Sequence, residues 1–365
     1  MDKYTERDVL IWLNSLGITN NILDRLYECF PDLCELLWID KSKMFNISGI
    51  KEKYLEKIIR YRNIDYIDEI LNKLEENKIN TMTILDRNYP DSLKNIYTKP
   101  YVLYGKGNML EEDNLAIGIV GARKATSYGK WACEKFAKEL ANMGVTIVSG
   151  LALGIDTVAH STALREGGRT IGVLGNGIDV VYPKSNRRLY DEVTKHGMIL
   201  TEFPLGTPPI AYNFPQRNRM ISGLSLGVIV IEAKEKSGSL ITAHLALEQG
   251  KEVFALPGNI NSLYSKGTNR LIRDGARPLL EIEDIIEEIG ELQSRLSQSK
   301  RDKIDYKDLS DVEIKIIETM KDGPLHSDLI SHRTGLDIST VISIITILEL
   351  KGIVKELNSR IFTLC

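Results

Sequence analysis

Residues that can bind phosphate recur through the middle of this 365-residue sequence, each time just after a short apolar run. Glycines, hydroxyls, amides and cationic side chains fill these positions, and no paired nucleophile and base stands among them. Backbone N–H groups, guanidinium groups and ammonium groups stabilise anionic oxygens, so the pattern indicates phosphate binding and not bond cleavage. We predict no catalytic residues. The candidate binding residues are Gly121, Arg123, Lys184, Phe214, Arg217, Asn218, Arg219, Gly238 and Ser239.

One strand–turn–helix pattern organises the sequence around these residues. The apolar run Ile117–Val120 predicts a buried strand that ends at Gly121, and helical spacing of apolar residues predicts a helix over Ser127–Gly144. Such a turn aims N–H groups at an anion, and Arg123 and Lys124 add positive charge. The turn lacks the Gly-x-Gly-x-x-Gly pattern of dinucleotide-binding proteins, so no nucleotide cofactor is expected. The alternative is that Arg123 only caps a neighbouring carbonyl.

Strand-like and helical segments alternate from this point onward, which predicts a parallel sheet with helices on both faces. The expected fold is α/β, with a Rossmann-like, doubly wound and mainly parallel sheet. Val102–Tyr104 is expected to be an edge strand leading into it. The expected strands are Ile117–Val120, Thr146–Ser149, Thr170–Leu174, Ile199–Thr201, Val228–Ile231 and Glu252–Ala255.

In such a sheet the ligand lies beyond the carboxyl ends of the strands, where residues far apart in sequence meet. We therefore expect a single cationic pocket. The side chains expected to converge on it are Arg123, Lys184, Arg187, Arg217 and Arg219. Phe214 offers a flat face on which an unpaired base can stack. In the alternative interpretation Phe214 is a core residue, and Arg217 and Arg219 are partners of carboxylates.

Acidic and histidine side chains near the predicted pocket are assigned structural roles. Asp156 and His160 are four residues apart and share a helical face, a spacing that suits a metal ion or an acid–base pair. No third ligand is evident, and Asp156 near a helix N-terminus complements the helix dipole. Glu202 and Glu232 end strands and are expected to pair with the arginines of the pocket. We predict neither a metal nor a cofactor.

Composition limits the class of protein. With 43% hydrophobic and 27% charged residues the chain is typical of a soluble globular protein of two or three domains. A net charge of −3 provides no general basic field, so any polyanion site has to be local. The cysteines lack zinc-binding or disulfide spacing, and no apolar run is long enough to cross a bilayer, so we expect a cytoplasmic protein without membrane contact.

Helical segments flank the predicted sheet on both sides. Residues 1–75 are expected to form a small helical domain similar to SAM or helix-hairpin-helix modules, with a glycine turn at Gly49. A module that only packs on the next domain, or on a second copy, is the plainer alternative. Residues 79–290 form the Rossmann-like domain, 291–305 a polar linker and 306–365 a winged helix. The third helix of that winged helix, Ile338–Leu350, carries no basic side chain, which favours partner docking over groove reading.

Ordered motifs spread over almost the whole chain resemble the DNA-processing protein A family (DprA, also called Smf). The motifs that carry the resemblance begin with Tyr89-Pro90, Ile119–Arg123, Ser127–Gly129, Val148–Ala152, Gly154–Asp156 and Ala159-His160. They continue with Gly175–Gly177, Asp179, Tyr182-Pro183, Asn186, Phe214–Arg219, Ser237–Leu240, Thr242-Ala243 and Ala255–Gly258. The N-terminal part matches the family least well, and the winged helix is a variable appendage of it.

The resemblance implies a protein that binds single-stranded DNA without sequence specificity, loads RecA during DNA-mediated transformation and recombination, and forms a homodimer through the Rossmann-like domain. It implies phosphate contacts for Arg123, Lys184 and Arg217–Arg219. Phe214 is placed near bases, and Gly238-Ser239 gives backbone contacts. Two other functions remain as alternatives: a nucleotide phosphoribohydrolase similar to lysine decarboxylases, and a winged-helix transcriptional regulator.

Overall fold

The structure is a computed structural model that describes residues 3–295, 309–321, 323–351 and 353–364. The chain divides into two compact units, Met1–Ile289 and Gly290–Cys365. The larger unit contains five N-terminal helices and the sheet, and the smaller unit contains the winged helix. Of the linker expected at residues 291–305, residues 291–295 are helical and residues 296–305 lie outside the described part of the chain.

Helices form most of the first 76 residues of the larger unit. They are α1 (Glu6–Ser15), α2 (Asn20–Cys29), α3 (Lys41–Phe45), α4 (Glu52–Arg60) and α5 (Ile64–Glu76), with a 3₁₀ turn at Leu33–Leu37. Helix α1 begins in a capping box, because Thr5 and Asp8 satisfy each other's backbone N–H groups. The turn expected at Gly49 joins α3 to α4, and its φ of +81° is in the left-handed region that glycine adopts freely.

Within the described residues, nine strands form one sheet in the order β1-β2-β6-β5-β4-β3-β7-β8-β9. Strands β1 and β2 pair antiparallel with each other and β2 with β6, and the run from β6 to β9 is parallel. The strands are β1 (Asn80–Thr83), β2 (Val102–Gly107), β3 (Ala116–Val120), β4 (Thr146–Ser149), β5 (Thr170–Val173), β6 (Met198–Thr201), β7 (Gly227–Val230), β8 (Glu252–Ala255) and β9 (Arg277–Pro278). Every predicted parallel strand is present. The strand expected at Val102–Tyr104 is present as part of β2, but it is not at the edge of the sheet, because β1 pairs with its outer side.

Helices connect the strands of the sheet, and together they position the candidate binding residues. They are α6 (Asp91–Lys94), α7 (Ser127–Asn142), α8 (Ile155–Arg165), α9 (Arg187–His196), α10 (Asn213–Gly223), α11 (Gly238–Glu248), α12 (Lys266–Arg273) and α13 (Glu283–Ile286). Strand β3 lies between β4, reached through α7, and β7, reached much later in the chain. The strand order therefore reverses between β3 and β7, and this switch point is where open α/β sheets bind ligands.

Both faces of the sheet are buried, which explains why its strands are continuous apolar runs. One hydrophobic cluster packs Val228 and Val230 of β7 against Met220 of α10 and Ala243 of α11. The other joins residues of the N-terminal helices, including Trp12, to residues of the sheet. Because the N-terminal helices and the sheet share this core, the boundary expected at residues 75–79 separates two parts of one compact unit.

The smaller unit has the helix and strand order of a winged helix. Its helices are α14 (Asp311–Thr319), α15 (Ser327–Thr334) and α16 (Ile338–Leu350), and its strands are β10 (Leu325–His326), β11 (Val354–Asn358) and β12 (Ile361–Leu364). The strands pair in the order β10-β12-β11. Buried residues of all three helices, among them Ile316, Ile330 and Ile345, form its own core with Phe362.

No helix in the described residues combines the length and the hydrophobicity that crossing a bilayer requires. The same residues contain no group of three or more His, Cys, Asp or Glu side chains arranged to hold a metal ion.

Candidate nucleic-acid interface

A pocket of about 420 Å³ opens at the switch point between β3 and β7. Its walls come from the turn after β3, the loop after β4, the first turns of α10 and the start of α11. Of the predicted binding residues, seven line it: Gly121, Arg123, Phe214, Arg217, Asn218, Gly238 and Ser239. The sheet topology therefore brings together residues that are more than a hundred positions apart in the sequence.

Phe214 lines this pocket, and the guanidinium groups of Arg123 and Arg217 lie near its ring. The guanidinium carbon of Arg123 lies 5.5 Å from the centroid of its ring, and that of Arg217 lies 5.9 Å away. The ring of Tyr182 is tilted against Phe214 with 5.7 Å between centroids. Two cations near one ring are typical of cation–π contacts, and they also place positive charge beside a flat apolar face. This combination suits a ligand that has both phosphates and bases.

Arg123 and Arg217 differ in accessibility. Arg123 is exposed, whereas Arg217 is only 4% exposed and forms part of the pocket floor. Arg217 donates to the carbonyl oxygen of Gly150 at 2.9 Å and also to the carbonyl oxygen of Val173. Burial lowers the pKa of Arg217 to about 10, so the side chain remains protonated at neutral pH. Arg123 can reach a ligand directly, and Arg217 supplies a fixed charge beneath it.

Asp156 and His160 hold the loop that follows β4. The carboxylate of Asp156 accepts N–H groups from Gly150 at 3.2 Å and from Ala152 at 3.3 Å. Burial raises the pKa of this carboxyl, and the nearby Arg217 opposes the increase. Nε2 of His160 accepts the N–H of Leu151 at 3.3 Å, and Nδ1 lies 2.6 Å from the hydroxyl of Thr170.

Burial, reinforced by Arg217, lowers the pKa of His160 to about 3, so the ring is neutral under ordinary conditions. Because Nε2 accepts a hydrogen bond, the neutral ring carries its proton on Nδ1, which donates it to the hydroxyl of Thr170. The predicted structural role of Asp156 and His160 agrees with these contacts.

The start of α11 closes the pocket with backbone donors. Gly238 and Ser239 are its first two residues, and the N–H groups of a first helical turn have no partner within the helix. Asn218 donates to the carbonyl oxygen of Gly238 at 3.2 Å, which joins α10 to this turn. The hydroxyls of Ser237 and Ser239 are 2.7 Å apart. A helix of eleven residues that points its N-terminus into a pocket favours an anion there.

Arg219 does not face this pocket. It is 7% exposed, forms a two-point ion pair with Glu202 in which Nη2 and Oε2 are 2.6 Å apart, and donates to the carbonyl oxygen of Thr98. The expected pairing of Glu202 with an arginine is confirmed. The same expectation for Glu232 is wrong, because its carboxylate accepts the N–H and the hydroxyl of Thr126.

Lys184 and Arg187 are exposed, and neither lines the pocket. Lys184 directly follows Pro183, which borders a recess next to Phe214. Of the five cationic side chains expected to converge on the pocket, only Arg123 and Arg217 line it, and the expectation is wrong for Lys184, Arg187 and Arg219.

Two glycines that the sequence analysis did not assign to the site create the space for it. A Cβ on Gly150 would lie 2.5 Å from Nη2 of Arg217, and a Cβ on Gly175 would lie 2.9 Å from Cδ1 of Phe214. Both distances are shorter than real Cβ contacts allow. Tyr182, in the loop after β5, also lines the pocket, although it is not among the predicted binding residues.

The fold and the pocket define a class: a Rossmann-like α/β protein with a cationic, ring-lined site for an anionic ligand at its switch point. The family model of DNA recombination-mediator protein A matches residues 80–290, and that of the DprA winged helix domain matches residues 305–358. The chain belongs to the DNA recombination-mediator protein A family, whose members also carry the names DprA and Smf.

Individual relatives agree with this assignment. The DNA processing protein DprA of Bacillus subtilis is 48% identical over 226 residues, which are 62% of this chain and 76% of that protein. The X-ray structure of DNA processing protein A from Streptococcus pneumoniae has a TM-score of 0.69 at 38% identity and covers 79% of this chain and 99% of its own. DNA processing protein A from Helicobacter pylori, which binds single-stranded DNA, has a TM-score of 0.53 at 34% identity, over 59% of this chain and 96% of its own.

Proposed function

We propose that this protein binds single-stranded DNA without sequence specificity, and that the pocket between β3 and β7 is its binding site. Phosphates contact Arg123, the N–H groups of Gly238 and Ser239, and the side chain of Asn218. One base stacks on Phe214. The buried Arg217 supplies positive charge, and Lys184 contacts the DNA strand next to the pocket. Arg219 contributes to binding indirectly, because its ion pair with Glu202 holds α10 in place.

The observation that carries this proposal is the position of both guanidinium groups within 6 Å of one partly exposed ring. A site for a small inorganic anion does not require an aromatic side chain. A site for a neutral aromatic ligand does not require two guanidinium groups. A nucleotide strand offers both partners, and stacking tolerates any base because every base has a flat face. The binding of single strands by the relative from Helicobacter pylori supports the same conclusion.

Fluorescence anisotropy with labelled oligonucleotides tests the proposal. We expect Arg123→Ala to weaken binding of single strands of every sequence about tenfold, which corresponds to about 1.4 kcal/mol. Loss of one phosphate contact should also lower the slope of log K against log salt concentration by about 0.7. Arg87→Ala removes another exposed charge that lies outside the pocket, and it serves as the control. Equal affinities of the Arg123 and Arg87 variants would exclude the pocket as the DNA site.

We further propose that the bound strand is passed to RecA during transformation and recombination, and that the protein works as a homodimer through its Rossmann-like domain. The family membership supports both. Light scattering tests the dimer, which should have twice the chain mass of 41.1 kDa. RecA filament formation on DNA already covered by single-strand binding protein tests the transfer, because it should accelerate only when this protein is present.

We propose that the protein acts by binding and catalyses no reaction. The ring of His160 has partners on both nitrogens, and the carboxylate of Asp156 is occupied by backbone donors. Release of free base from a nucleoside monophosphate by the purified protein would contradict this. We also propose that the protein acts in the cytoplasm. Cell fractionation should recover it in the cytoplasmic fraction.

The winged helix is proposed to dock a partner and not to read a groove. Its α16 has no lysine or arginine, and Ile342 and Ile347 on this helix are exposed. Deletion of residues 306–365 should therefore leave the affinity for single strands within about twofold of the full chain.

A further inference from the structure

Two large aromatic side chains are exposed on the first two turns of α7. Tyr128 is 47% exposed and Trp131 is 59% exposed. Their rings are stacked, with centroids 6.1 Å apart and an interplanar angle of 25°. Exposed apolar side chains of this size, grouped together, commonly mark a surface that binds something.

Tyr128 and the start of α7 are fixed by contacts with neighbouring loops. The hydroxyl of Tyr128 donates to the carbonyl oxygen of Pro257 at 3.1 Å, which links the start of α7 to the loop after β8. A Cβ on Gly129 would lie 2.4 Å from the carboxyl carbon of Glu232, so α7 approaches the end of β7 as closely as glycine permits. Glu232 also accepts two hydrogen bonds from Thr126, the cap of α7. An aromatic side chain that is already fixed loses little conformational entropy when a ligand binds to it.

The pair also lies near the same edge of the sheet as the pocket, because α7 begins shortly after the carboxyl end of β3. The turn that carries Gly121 and Arg123 leads directly into α7, and the chain from Gly121 to Tyr128 spans at most about 25 Å even when fully extended. Lys124 and Lys130 are exposed along this stretch, and neither forms an ion pair with any described residue. The stretch from Arg123 to Trp131 therefore carries exposed cations that suit phosphates and two exposed rings that suit bases.

We propose that Tyr128 and Trp131 form a second base-stacking platform for the same DNA strand. Nucleotides that flank those in the pocket stack on this pair, and Lys124 and Lys130 meet the phosphates between them. The inference rests on the proposed function and extends it, because it makes the binding site longer than the pocket. Affinity should then increase in two steps as the strand lengthens.

Anisotropy with oligothymidylates of increasing length tests the platform, with Trp38→Ala as the matched control. Trp38 is 55% exposed and lies in the N-terminal helical part. We expect Trp131→Ala to weaken binding of long strands about 5- to 100-fold, as expected for one lost stacking contact. Strands just long enough to fill the pocket should bind the Trp131 variant and the control equally well.

The variant Arg123→Ala separates the two proposals. If it binds strands of every length as tightly as the unaltered chain, the proposed function fails. If it weakens binding at every length while Trp131→Ala matches Trp38→Ala throughout, the pocket stands and the platform is overturned. A Trp131 variant that changes the mass measured by light scattering, but not the affinity for any strand, assigns the pair to a protein interface and also overturns the platform.

Tryptophan fluorescence gives a direct readout. In a Trp38→Phe variant the remaining tryptophans are Trp131 and the buried Trp12, so Trp131 dominates any response to added DNA. Saturating long oligothymidylate should quench this emission, and saturating short oligothymidylate should not. Unchanged emission with the long strand would contradict stacking on Trp131.

Discussion

Replacing Gly150 by alanine should disturb DNA binding without removing any charge. The added methyl carbon would lie 2.5 Å from Nη2, 2.6 Å from Nη1 and 2.7 Å from Cζ of Arg217. Ordinary contacts begin at 3.4 Å, so the guanidinium has to move by roughly 1 Å. This movement strains its hydrogen bonds to the carbonyl oxygens of Gly150 and Val173.

The magnitude follows from these contacts. Loss of one hydrogen bond from a charged donor costs about 1.5–3 kcal/mol, so the free energy of unfolding should fall by about that much. Displacement of the guanidinium from its place near Phe214 should weaken binding of single strands about tenfold. Urea denaturation measures the first quantity, and anisotropy over a range of salt concentrations measures the second.

Gly290→Ala provides the control, because a Cβ there meets no atom within 4 Å. It should behave like the unaltered chain in both measurements. A Gly150 variant with unaltered affinity and an unaltered salt slope would refute the placement of Arg217 in the binding site. Reduced stability with unaltered affinity would mean that Arg217 only supports the fold.

Three further changes have calculable outcomes. Gly175→Ala should push the Phe214 ring aside and weaken single-strand binding about 5- to 10-fold in anisotropy, with little change in salt slope. Glu202→Ala leaves Arg219 buried without its carboxylate and should lower the urea-derived free energy of unfolding by about 3–5 kcal/mol. His160 protonates in the unfolded chain below its usual pKa of 6.5 but in the folded chain only near 3, so stability should fall as pH decreases between these values. The contribution of His160 to the pH dependence of the free energy of unfolding is at most about 1.4 kcal/mol per pH unit, and His160→Gln should remove this contribution.

The sheet was predictable because its signal is local. Each parallel strand is buried on both faces, so it appears as a short apolar run with a turn on either side, and the observed bounds differ from the expected ones by about a residue. The edge strand β1, Asn80–Thr83, was not predicted because it is short and three of its four residues are polar. The shared core between the N-terminal helices and the sheet depends on contacts such as the one from Asn20 to Glu202, which no local pattern encodes.

The site was predictable only in part, for a geometric reason. Arg217 and Arg219 stand two residues apart on α10, which turns them about 200° from each other, so the two side chains cannot face the same pocket. Helical periodicity alone could have separated them. Gly150 and Gly175 could not have been found in this way, because each makes room for a side chain that comes from a distant part of the chain.

A crystal structure of the protein with bound oligothymidylate tests the central claim most directly. The claim is that Arg123, Phe214 and the first turn of α11 together hold one stretch of single-stranded DNA. The expected result is a phosphate within hydrogen-bonding distance of Arg123 and of the N–H groups of Gly238 and Ser239, with a base stacked on Phe214. A strand bound on another surface, with the pocket between β3 and β7 empty of DNA, would contradict the account.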